Sequence, residues 1–62
     1  MKLTLNEDVN LILSVINTKL RNHYDSLEAL CEDMGLDKEK LIMILLDAEK
    51  VYNQTLNQFV SL

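Results

Sequence analysis

The sequence predicts a mainly α fold: a three-helix domain whose second and third helices form a helix-turn-helix, with a short C-terminal β-hairpin or extended tail packed on it. Three observations predict it. Apolar residues recur at helical spacing in three segments, each opening on a capping side chain. The 62 residues contain one Gly and no Pro, so little interrupts those segments. After Lys50 the helical pattern gives way to short apolar runs separated by Asn, Gln and Thr.

The first helix is expected over about Asn6 to Asn22, where Val9, Ile12, Leu13, Ile16 and Leu20 share one face. Thr4 with Glu7 spells a capping box and Asp8 is a rival N-cap, so two starts compete. Leu11 and Val15 fall to one side of the main stripe, which predicts neighbours on two sides of the helix. The second helix opens on Asp25 or Ser26, with Glu28 completing a box with Asp25, and its stripe is Leu27, Leu30, Cys31 and Met34. Gly35 ends it, because Gly takes the left-handed conformation after a helix without a Cβ penalty, and Leu36 then folds back on Cys31. Asp37 caps a third helix with a stripe of Leu41, Ile44, Leu45 and Ala48 continuing to Tyr52. Val51-Tyr52-Asn53 and Gln58-Phe59-Val60, with Asn at both corners of the turn between them, read as a hairpin. Helix running on through Asn57 is the rival reading. An isolated ribbon is weak, so the hairpin needs Tyr52 and Phe59 to pack it on the helices.

At 7.2 kDa the chain is one domain over residues 1–62, and a domain of this size buries only about 60% of the surface its unfolded chain exposes. Thirty residues (48%) are apolar, thirteen of them Leu, enough for one core without disulfides or metal. The single Cys31 and single His23 exclude a disulfide framework and a zinc site from one chain; Cys31 reads as a small core hydrophobe and His23 as a surface or cap residue. The net charge of −4 opposes binding to DNA or an anionic membrane. Its acidity is local: Asp25, Glu28, Glu32, Asp33 and Asp37 stand without a base between residues 25 and 37. No apolar run approaches the roughly 18 residues of a membrane span, and Met1 to Asp8 lacks the apolar core of a signal peptide, so the expected compartment is the cytoplasm.

Catalysis has no foothold in these residues. Carboxylates such as Glu28 and Glu32 lie on a solvated helix face, His23 has no nucleophile at contact spacing, and there is neither a Gly-rich phosphate loop nor an EF-hand spacing. No enzyme activity, cofactor, metal or small-molecule substrate is expected. The helix-turn-helix spacing of Leu30, Cys31, Met34, Gly35, Leu36, Leu41 and Ile44 raises a DNA-binding regulator as the alternative function. Its reading positions, Lys38, Glu39, Ile42, Met43, Leu46 and Asp47, contain no Arg, Asn or Gln to address a base edge. What they offer instead is apolar surface. Ile42, Met43 and Leu46, with Leu11 and Val15 on the first helix, are the candidate contact residues of a non-catalytic interaction module, either a homodimer or the binder of a protein partner.

Three runs carry a family resemblance: Leu13-Ser14-Val15-Ile16-Asn17-Thr18-Lys19-Leu20-Arg21, Ser26-Leu27-Glu28-Ala29-Leu30-Cys31-Glu32-Asp33, and Tyr52 followed by Asn57-Gln58-Phe59-Val60. Together they resemble a family of very small bacterial proteins, domain of unknown function 4250, over nearly the whole chain. The resemblance implies no activity, ligand or catalytic residue. In that family a Pro often opens the first helix and an Asp often follows the tyrosine; Val9 and Asn53 stand in those places here.

Overall fold

The computed structural model describes Leu5 and residues 7–62. Its elements run α1 (Val9–Asn22), α2 (Leu27–Met34), α3 (Lys38–Asp47), β1 (Lys50–Asn53) and β2 (Gln58–Ser61). The three predicted helices and the hairpin are all present. The helical run through Asn57 is not: α3 stops at Asp47, and Tyr52 belongs to β1 rather than to the helix stripe.

Local chemistry sets each boundary. Asp8 caps α1 by accepting the Asn10 N–H at 2.7 Å, so the helix starts three residues later than Asn6. Thr4 and Asn6 lie outside the described residues. Ser26 rather than Asp25 caps α2, its Oγ accepting the Ala29 N–H at 3.1 Å; this replaces the expected Asp25–Glu28 box. Gly35 ends α2 at φ 67°, and the Leu36 N–H returns to the Cys31 carbonyl at 2.9 Å, the six-to-one bond of a Schellman ending. A Cβ on Gly35 would meet nothing within 4 Å, so the glycine is required by backbone conformation and not by space. Asp37 caps α3 through the Lys40 N–H. At the far end Glu49 takes φ 63°, a left-handed turn that redirects the chain from helix into strand.

The core is one cluster drawn from every helix and the hairpin: Ile12, Ile16 and Leu20 from α1, Leu27, Leu30 and Cys31 from α2, Leu41 and Leu45 from α3, and Phe59 from β2. Helix α1 touches α2, α3 and β2, neighbours on more than one side as expected; of the two off-stripe residues Val15 packs against the core, while Leu11 stays 40% exposed. Tyr52 and Phe59 lie opposite each other in the antiparallel register, ring centroids 5.5 Å apart, and Phe59 is buried to 4% exposure. The ribbon is thereby packed on the helices, as so short a hairpin requires.

A side chain finishes the sheet. Asn17, in the middle of α1, accepts the Phe59 N–H at 2.7 Å and donates to the Phe59 carbonyl at 3.0 Å. Its amide stands where the backbone of a third strand would stand, closing the β2 edge at that residue.

Candidate interaction surface

The α1–hairpin seam is held by three amides. Asn57, left-handed at φ 53°, donates to the carbonyls of Leu20 (3.0 Å) and Tyr24 (2.9 Å) and accepts the Tyr52 hydroxyl (2.6 Å). Gln58 donates to the Asn17 carbonyl at 2.9 Å. The Asn57 amide thereby serves the Leu20 carbonyl in the last turn of α1, whose i+4 N–H, that of Tyr24, goes to Lys19 instead, and the Tyr24 carbonyl just past the helix. Among the described residues no buried side-chain nitrogen or oxygen lacks a partner. The network is structural: every amide it contains is already engaged.

Charge lies elsewhere. The five acids of residues 25–37 are exposed, and Lys38 approaches Glu28 at 3.6 Å across solvent. Tyr24 donates its hydroxyl to the Asp33 carboxylate, tying the α1–α2 loop to the end of α2. That hydrogen bond, helped by desolvation and by the charge of Asp33, raises the Tyr24 phenol above its ordinary 10.0. A group raised on folding stabilises fully below its unfolded value and loses that contribution as pH climbs through its folded value. The wild type should therefore lose stability above about pH 10, whereas Tyr24→Phe should flatten that limb; denaturant midpoints across the alkaline range, compared between the two, measure it. Burial likewise pushes the Cys31 thiol up, and the residue sits in the core at 4% exposure, a small apolar filler with a free thiol. His23 is the exposed C-cap of α1. Among the described residues no three His, Cys, Asp or Glu side chains cluster as metal ligands, and no helix is long and apolar enough to cross a membrane.

The five candidate contact residues divide. Ile42 and Val15 are half-buried and pack against the core. Ile42 also lines an open groove with Leu27, Lys38, Tyr52 and Gln54, so the hairpin takes part in covering it. Met43 is 70% exposed, Leu46 49% and Leu11 40%. Met43 and Leu46 are three residues apart, hence neighbours on one face of α3. Leu62, 80% exposed, is tethered nearby: its N–H donates to the Glu49 carbonyl, and the Glu49 N–H donates to that of Leu46. Leu62 was not among the predicted residues, because only the hairpin register returns the chain end to the end of α3. Lys38, expected to face outward, is half-buried, while Lys40 is exposed.

A family profile described as Domain of unknown function (DUF4250) matches residues 6–59. No curated protein and no solved structure matches the chain.

Proposed function

We propose that this chain, which belongs to the DUF4250 family, works as a non-catalytic protein-interaction module of the cytoplasm whose contact surface is the outer face of α3. One observation carries the reading: Met43 and Leu46 present large apolar side chains to solvent on a helix whose other face already fills the core through Leu41 and Leu45. Scaled to the surface each still exposes, covering Met43 is worth roughly 1–2 kcal/mol and Leu46 roughly 0.7–1.5 kcal/mol, together a substantial share of the stability available to so small a domain. Leu11 and Leu62 add exposed apolar area, and the free, buried Cys31 suits a reducing compartment.

A DNA-binding role finds less support on the same helix. Its exposed residues are Glu39, Lys40, Met43, Leu46 and Asp47, one cation against two acids, and the preceding helix exposes Glu28, Glu32 and Asp33.

The pair Met43→Asp with Leu46→Asp tests the proposal. Both positions are exposed, so the variant should fold with a stability change within about 1 kcal/mol. A photo-crosslinking side chain at position 40, beside the patch, should form a discrete protein adduct in cells that the double variant abolishes. A crosslink pattern indifferent to the two carboxylates would defeat the proposal. So would binding to mixed-sequence duplex that weakens steeply with salt, the signature of phosphate contacts.

A further inference from the structure

The outer edge of β1 is unfinished in a way the α3 face does not explain. In an antiparallel ladder both main-chain groups of a residue point the same way, and opposed residues alternate between bonded and non-bonded pairs. Phe59 turns its N–H and its carbonyl to Asn17, and Leu62, three residues on, donates to Glu49 on the first strand's side. Tyr52, opposite Phe59, therefore turns its own N–H and carbonyl out of the hairpin on the far side, and Lys50, two residues earlier, does the same. Among the described residues nothing hydrogen-bonds to the main chain of either. One edge of the sheet is closed by a side chain; the other is open.

We propose that this edge pairs antiparallel with β1 of a second copy of the chain, making a continuous four-stranded sheet in the order β2-β1-β1-β2. Two features of the strand select a second copy as occupant. The first is charge: across residues 50–61 the one ionised side chain is Lys50, so the paired strand segments bring no carboxylates against each other, Glu49 just before the strand and Asp25 and Glu28 along the Tyr52 groove lying outside them. The second is register. A twofold axis through Val51 sets Lys50 against Tyr52 of the second copy twice over, so all four outward main-chain groups of each strand segment find partners. It also lays each ammonium beside an aromatic ring on the same sheet face. An axis through Lys50 would oppose two ammonium groups, and one through Tyr52 would leave the Lys50 main chain unpaired by its like. The Val51 axis continues a row of valines, Val60 and Val51 of one copy followed by Val51 and Val60 of the other, across the opposite face.

The test uses the whole chain, which at 62 residues is within reach of chemical synthesis. N-methylation of the Tyr52 amide removes an N–H that the monomer does not use and keeps the side chain that it does. Sedimentation equilibrium up to about 1 mM should find a dimer for the unmodified chain. N-methylation should weaken it at least about tenfold, since two hydrogen bonds are lost per dimer, with an unchanged circular dichroism spectrum as the check on folding. Met43→Asp with Leu46→Asp should leave the dimer constant unaltered, which separates this edge from the α3 surface. A chain that stays monomeric at that concentration, a dimer indifferent to N-methylation, or one broken by the α3 variant alone would each overturn the proposal.

Discussion

Asn57→Ala is expected to cost about 2–4 kcal/mol, a large fraction of the stability available to a domain of this size. Three losses coincide. The carbonyls of Leu20 and Tyr24 lose their donor, the half-buried Tyr52 hydroxyl loses its acceptor, and alanine must hold φ 53°. The left-handed conformation alone accounts for roughly 1–2 kcal/mol. Asn57→Gly separates the terms, since it tolerates the backbone and lacks the amide. It should be more stable than Asn57→Ala by about 1 kcal/mol and still less stable than wild type. Urea midpoints of the three proteins measure both differences; an alanine variant as stable as wild type would mean that the seam contributes nothing.

The second large effect contrasts two adjacent leucines. Leu45→Ala deletes a side chain with no exposed surface from the centre of the cluster and should cost about 2–5 kcal/mol. Leu46→Ala makes the same chemical change one residue along, at 49% exposure, and should cost under about 1 kcal/mol. At roughly 4–8 °C per kcal/mol for a domain of this size, thermal melts resolve the two without ambiguity. Ile42, half-buried between the core and Tyr52, should fall between them, which removes it from the set of freely substitutable surface residues.

These contrasts show what the residues revealed on their own. The helix faces were legible because burial follows the 3.6-residue period: Ile12, Ile16 and Leu20, then Leu27, Leu30 and Cys31, then Leu41 and Leu45 are the buried sets. Gly35 and Asp37 were legible because backbone conformation and capping are local chemistry. The cap of α2 stayed open between adjacent Asp25 and Ser26, because the choice rests on which side chain meets the Ala29 N–H, and Ser26 takes it in place of an Asp25–Glu28 box. The end of α3 was misjudged because Glu49 adopts a conformation that nothing in its side chain advertises. Harder still was the amide seam. Asn57 reads as a turn residue and Asn17 carries no reading of its own, since partners about forty residues apart leave no periodic trace. The signal that could have found Asn17 is its place within the apolar stripe, four residues after Leu13 and three before Leu20, where a half-buried polar side chain needs a partner. As for the contact surface, Met43 and Leu46 stood out as surplus to the helix stripe, but whether the hairpin reached Ile42 depended on tertiary geometry.

The Asn17–Phe59 pairing also has a temporal side. A ribosome makes Asn17 forty-two residues before the main-chain groups it will bind. A nascent chain extruded as far as α3 already holds eight of the nine buried core residues but neither Phe59 nor the groups that engage the Asn17 amide. Until β2 emerges, that amide and the end of α1 have only water for partners. Local helices can flicker early, yet the contacts that lock them are distant in sequence and arrive last. Folding of this domain is thus coupled to completion of its final strand, and premature termination before Phe59 should release a product that proteases, not partners, will meet first.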